Sequence, residues 1–419
     1  MSHKLPEGWR EESLSNITNI IVSNVDKKSS SSETPVTLCN YMDVYNNSYI
    51  DKSLNFMTAT ATKDEINKFS LKVDDVLITK DSETPEDIAI PAVVSEVFDN
   101  FVCGYHLAIL RPNNGLSGRF LNNVLMSNKV HNHFVRFANG ATRFGLTLDA
   151  IKKARIPLPP IEEQRKIAEI LGTVDDKISN IDQQISATET LKKGLMQKLF
   201  TEGIGHTEFK STEIGILPKS WEVKPFGANF DIKSGIGFKL SEYSDDGLKL
   251  LRIDNVSHGE ITWDSIAYMP HDYINKYPDV ILSEGDILLA LNRPITQNKL
   301  KIARVKSYDL PSILYQRVGK VLFLNDNYDH GFTCHCLERH IYDFVLKNSV
   351  GSDQPFISLT ALRKYLLPLP PLEEQQKIAS ILTEVDNKIE SLKKKKEKYT
   401  TLKTGLMQQL LTGQKRVKI

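Results

Sequence analysis

The sequence predicts an α+β protein: two tandem domains joined by two long helices that form an antiparallel coiled coil. The whole is an internal pseudo-twofold repeat with an offset of about 211 residues. Three observations carry this expectation. Residues 157–199 and 368–410 match without gaps at 24 of 43 positions, which chance similarity cannot produce. Both segments place apolar residues at alternating steps of three and four, the narrow seam of a coiled coil. The stretches between them carry short β-branched and aromatic runs broken by Asp/Asn/Ser/Gly turns.

Taken in chain order, residues 1–155 form a first domain, 156–205 a spacer helix, 206–366 a second domain, and 367–419 a C-terminal spacer helix with a basic tail. Each domain opens on Leu-Pro-x-x-Trp, ending at Trp9 and Trp221. Strand-like runs cover 36–42, 76–79, 89–94 and 107–110, matched later by 250–253, 286–291 and 318–324. Helices are expected near 119–127 and 335–346, each leading to a polar loop at Gly140 or Gly351. Asp75 and Asp286 fall at equivalent strand entrances and read as turn caps. The seam runs through Ile167, Leu171, Val174, Ile178 and on to Leu191 in the first spacer, and through Ile378, Leu382, Val385, Ile389 and on to Leu402 in the second. About 40 residues at 1.5 Å each give a rod of roughly 60 Å. One such amphipathic rod cannot stand alone in water, so the two copies bury their seams against each other.

Composition narrows the function. Hydrophobic content of 40% with 25% charged residues is ordinary globular usage. No apolar stretch is long enough to span a bilayer, the N-terminal sequence lacks an apolar signal core, and four cysteines are too few for a disulfide framework. The expected location is cytoplasmic. Net charge is +1, yet residues 391–419 hold nine Lys/Arg and one Glu, so basic residues are concentrated locally. No phosphate-binding Gly-x-x-x-x-Gly-Lys-Ser/Thr loop, nucleophile elbow or amino-methyltransferase tetrapeptide occurs. Gly235-Ile-Gly237 lacks the third glycine of a dinucleotide site. Cys334-His335-Cys336 lacks a second spaced pair, so no metal is expected. The chain reads as a non-catalytic adaptor.

The twin Pro-Leu-Pro-Pro-x-Glu-Glu-Gln segments at 157–164 and 368–375, the Gly-Leu-Met-Gln helix ends, the Leu-Pro-x-x-Trp starts and the Gly-Asp-Ile-Leu strand at 285–288 resemble the specificity (S) subunit of type I restriction-modification enzymes. The resemblance covers essentially the whole chain. It implies that each domain reads one half of a split, asymmetric double-stranded DNA site and that the paired helices set the half-site spacing. It further implies docking of two methyltransferase (M) subunits, with restriction (R) subunits joining that core. S-adenosylmethionine, ATP and Mg would then reside on those partners and no cofactor on this chain. Two other readings stay open: a coiled-coil scaffold whose domains bind proteins or sugars, and an S subunit whose methylase and nuclease are one polypeptide.

Base readers must be long polar side chains on loops. The first domain offers Asn40, Tyr41, Lys80, Thr142 and Arg143; the second offers Arg252, Asn292, Arg293, Ser352, Asp353 and Gln354. Arg suits guanine and Gln suits adenine by bidentate hydrogen bonding. Spacer and docking roles are expected for Glu163, Gln164, Glu374 and Gln375 together with the seam residues Ile167 to Ile178 and Ile378 to Ile389.

Overall fold

A computed structural model describes residues 5–348 and 355–418. The chain forms two compact units, residues 1–183 with 394–419 and residues 184–393. They divide inside the long helices α3 (Ile161–Leu199) and α5 (Leu372–Leu410), not at the helix ends that the sequence suggested as borders. The reason is packing. Ile167 and Leu171 share the core of the first unit with Leu410, whereas Met196, Leu199, Ile378 and Leu382 belong to the core of the second.

The first unit contains β1 (Thr18–Val22), β2 (Thr34–Cys39), α1 (Tyr41–Asn46), β3 (Tyr49–Ile50), β4 (Met57–Ala61), β5 (Val76–Thr79), β6 (Pro91–Val94), β7 (Phe101–Cys103), β8 (Leu107–Pro112) and α2 (Gly118–Leu125). Its strands form a five-stranded sheet in the order β1-β8-β5-β6-β3 and a three-stranded sheet, β4-β2-β7. β5 is buried throughout, as its unbroken Val-Leu-Ile-Thr run requires. The strand-like run at 36–42 stops at Cys39, because Asn40 caps α1: its side chain accepts from Met42 N at 2.9 Å.

The second unit repeats this plan. Its strands are β9 (Phe230–Ser234), β10 (Leu248–Leu251), β11 (His258–Gly259), β12 (Tyr268–Met269), β13 (Ile287–Ala290), β14 (Ile302–Arg304), β15 (Ser312–Leu314) and β16 (Val318–Phe323), followed by α4 (His330–Asn348). The five-stranded order is β9-β16-β13-β14-β11 and the smaller sheet is β12-β10-β15. Each strand thus occupies the place of the one eight earlier. Asp75 and Asp286 do cap equivalent turns, accepting from Lys72 N and Ser283 N, each at 2.8 Å. Asp75 also takes a fork of two 2.8 Å bonds from Arg111.

The shared motifs are partners across 150 residues of chain. In the first unit Trp9 Nε1 donates to Glu163 Oε2 at 3.0 Å, while Arg416 grips the same carboxylate at 2.6 and 2.8 Å. In the second unit Trp221 Nε1 donates to Glu374 Oε2 at 2.8 Å, and His206 Nε2 lies 2.8 Å from Oε1. The adjacent glutamines match as well. Gln164 accepts from Ser117 N and donates to Gly115 and Pro159 carbonyls, so it fixes the turn that starts α2. Gln375 accepts from Asp329 N and donates to Asn327 and Pro370 carbonyls at the start of α4. Glu163, Gln164, Glu374 and Gln375 are therefore buried fasteners, which corrects their expected place on a docking surface.

Between the long helices, Asp175–Lys403 and Asp182–Lys396 in the first unit run in opposite chain directions, so the pairing there is antiparallel. Ile167, Leu171, Val174, Ile378, Leu382 and Ile389 are buried, and Ile178 and Val385 half-buried. Leu191 and Leu402, expected in the seam, are instead 55% and 48% exposed. The next residue takes the inward position in both: Lys403 meets Asp175, and Lys192 meets Asp386 at 2.9 Å and Glu338 at 3.1 Å. These two ion pairs are equivalent under the 211-residue repeat, so the seam is polar at this level in each unit.

Burial of Glu338 would raise its carboxyl, but His335 and Lys192 outweigh that and bring it down to about 2. A depressed carboxyl stabilises the fold above its unfolded value near 4.5, and that contribution disappears as pH falls towards 2. Lys192→Met should remove the cation nearest the partly exposed Glu338 carboxylate and destabilise the protein by roughly 1 kcal/mol at neutral pH. Thermal unfolding across pH checks this: the gap between variant and parent should narrow below about pH 4.5, where Glu338 without Lys192 takes up a proton.

Candidate nucleic-acid interface

In each unit, the turn between the last strand of the small sheet and the strand that follows it gathers the loops the sequence singled out. In the first unit that turn is Gly104–Tyr105–His106, between β7 and β8. Gly104 N donates to Cys39 O at 2.8 Å, beside Asn40 and Tyr41, and Lys80 N donates to His106 O at 2.8 Å. Phe144 and Gly145 pair with Ser82 and Asp81, and Leu146 N donates to Lys80 O at 2.9 Å, which brings the loop carrying Thr142 and Arg143 alongside. Gly140 makes that loop possible: at φ +152 an added Cβ would run into the Arg143 carbonyl. Asn40, Tyr41, Lys80, Thr142 and Arg143 are thus drawn to one place.

Their states differ from expectation. Asn40 spends its side-chain oxygen on the cap of α1, and Tyr41 stacks on Tyr45 at 5.7 Å. Lys80 is pinned, with Nζ 3.2 Å from Asp81 Oδ1 and its side chain only 21% exposed. Thr142 and Arg143 are exposed. Two residues not anticipated join them. His106 Nδ1 is 2.6 Å from Asp81 Oδ2, and the Tyr105 ring lies 3.9 Å from the His106 ring.

The second unit builds the same arrangement around Tyr315–Gln316–Arg317, between β15 and β16. Tyr315 N donates to Leu251 O at 3.0 Å, beside Arg252, and Leu291 N donates to Arg317 O at 2.9 Å, beside Asn292 and Arg293. Ile357 N donates to Leu291 O at 2.8 Å and Arg293 N to Pro355 O at 2.9 Å. These bonds match those of Leu146 and Lys80 under the repeat. The Gly235-Ile-Gly237 segment supports this turn: a Cβ on Gly235 would collide with the Tyr315 carbonyl. Arg252 is not a free reader. Its Nη2 donates to Ser265 O and Oγ at 3.2 and 3.0 Å, and its Nε is buried. Ser352, Asp353 and Gln354 lie outside the described residues.

The offset that aligned the helices also aligns His106 with Arg317 and Asp81 with Asn292. That signal was present in the sequence, but only the backbone shows that these positions sit at the centre of the cluster. What each cluster can do follows from its donors. Exposed cations and amides on loops suit phosphates and base edges. Cys334, His335 and Cys336 lie on α4, with Cys336 buried and its thiol pushed up by burial. Among the described residues no helix is long and apolar enough to cross a membrane.

Comparison with known proteins places this geometry. The family described as the type I restriction modification DNA specificity domain matches residues 6–189 and 218–400. The chain is similar to the type I restriction enzyme MjaVIII specificity subunit of Methanocaldococcus jannaschii, with 46% identity over 266 residues, 63% of this chain and 63% of that relative. In fold it is similar to the S subunit of a type I restriction-modification system from M. genitalium, at TM-score 0.59 and 16% identity over 98% of this chain and 97% of that one. It is also similar to a chain from a structural study of complex assembly and conformational transition in the type I R-M system, at TM-score 0.54 and 16% identity over 98% and 99%.

Gly140→Val should open the 140–143 loop without disturbing the core. The expected result is weaker binding of the full chain to duplex DNA with a melting temperature within a few degrees of the parent, because the strain falls on a surface loop. A large drop in melting temperature would show that the loop supports the fold instead.

Proposed function

From the premise that the chain belongs to the type I restriction modification DNA specificity domain family, we propose that it selects the DNA sequence for a type I restriction-modification complex. Each unit reads one half of a bipartite, asymmetric duplex site. The long helices hold the half-sites at a set spacing and dock two M subunits, and R subunits complete the complex. The chain itself performs no chemistry. Adenine methylation with S-adenosylmethionine and cleavage with ATP and Mg belong to the partners, and the complex works in the cytoplasm.

One observation carries this reading. Two units with the same strand order and the same loop-to-turn hydrogen bonds present different side chains at equivalent positions: Lys80, Asp81 and His106 in one, Leu291, Asn292 and Arg317 in the other. A common scaffold with unlike donors is what reading two unlike half-sites requires, because base identity is carried by the groove pattern of donors and acceptors. The net charge of +1 also suits an adaptor. Tight binding to a polyanion then draws on cations that partner subunits supply.

Replacing residues 1–155 with the first domain of another S subunit tests the reading. The methylated sequence, read by sequencing N6-methyladenine in cells, should change in one half only; a change in both halves would refute it. Inserting whole heptads into the helical stretch 165–195 should lengthen the spacer with both half-sites retained. The purified chain without partners should transfer no methyl group from S-adenosylmethionine to duplex DNA.

A further inference from the structure

We propose that Arg317 is a base-reading residue of the second unit, selecting a G·C pair from the middle of its loop cluster; the proposal rests on the function proposed above. Arg317 sits at φ +69, a left-handed conformation that non-glycine residues avoid unless the surroundings impose it. Its carbonyl is tied to Leu291 N, and the turn is anchored on both flanks, by Gln316 N to Ile236 O at 3.1 Å and by Tyr315 N to Leu251 O. The backbone is therefore rigid, while the side chain is exposed and has no hydrogen-bond or ion-pair partner among the described residues. An exposed guanidinium projecting from a fixed backbone matches the O6 and N7 acceptors of guanine in the major groove.

The first unit supplies the internal contrast. His106 occupies the equivalent position at φ +71, but Asp81 holds its ring at 2.6 Å. In the second unit the residue in the place of Asp81 is Asn292, which carries no charge to occupy a guanidinium. Replacement of His by Arg and of Asp by Asn at one pair of neighbouring positions leaves a guanidinium without a partner among the described residues in one unit and a tethered ring in the other. The two lobes therefore read by different chemistry from the same backbone site.

The test is selection by the full-length chain, assembled with its M subunits, from a pool of DNA duplexes with randomised base pairs, comparing the parent with Arg317→Gln, Arg317→Ala, Asn292→Asp and, as a control, Arg165→Ala on the helix surface. The parent should enrich a two-part sequence. Both Arg317 variants should lose a G·C preference at one position of one half and bind the parental sequence about ten- to hundredfold more weakly, with the other half and the control unchanged. Asn292→Asp leaves Arg317 in place but offers it a carboxylate. It should weaken the same preference, which keeps the test decisive if a position-317 variant folds poorly. An unchanged selected sequence with Gln at 317, or a uniform loss on all duplexes with Ala, marks a phosphate contact and overturns the proposal alone. A parent that enriches no two-part sequence overturns the reading beneath it as well.

Discussion

A carboxylate buried at the head of each long helix organises this protein. Glu163 and Glu374 each receive an indole N–H from the opening segment of a domain and a contact from an Arg or His side chain, Arg416 or His206, in the segment that follows the other long helix. An unpaired buried carboxylate is costly, so these bonds are obligatory once the helix head is packed. Satisfying them forces three remote pieces of chain together: the start of a domain, the start of its spacer and the tail of the partner spacer. The neighbouring glutamines extend the same hold to the turn before α2 and before α4. The Pro-Leu-Pro-Pro-x-Glu-Glu-Gln motif and the Leu-Pro-x-x-Trp motif are thus two sides of one contact.

The seam between the spacers shows a second use of charge. Lys192 and Lys403 replace the leucines that periodicity places there, and each meets an aspartate that is itself repeated. Such pairs add less stability than an apolar layer of similar size, but they penalise every alternative register, because a shifted helix would bury an unmatched ion. Register matters when the helices act as a spacer. A slip by one turn would move the attached domain by about 5 Å.

The domains diverge where the scaffold does not constrain them. Strand order, turn caps and the hydrogen bonds that hold the β7–β8 and β15–β16 turns are common to both units, whereas the side chains projecting from those turns are not. Backbone bonds are indifferent to side-chain identity, so the projecting side chains can change without loss of the platform. The price is local strain, visible in the left-handed backbone of His106 and Arg317.

The sequence alone determined the repeat, the long helices, the α+β class of the domains and the family, because apolar spacing and repeated motifs are local or self-referential signals. It also placed the turn caps at Asp75 and Asp286 and gathered loops that do converge in space. Tertiary structure decided the rest. It turned Glu163, Gln164, Glu374 and Gln375 inward, exchanged Leu191 and Leu402 for lysines in the seam, occupied Asn40, Lys80 and Arg252 with internal bonds, and brought forward Tyr105, His106, Gln316 and Arg317. Whether a polar side chain is free or already bonded depends on partners that are remote in the chain, such as Trp9 for Glu163 or Ser265 for Arg252, and spacing along a sequence carries no record of that choice.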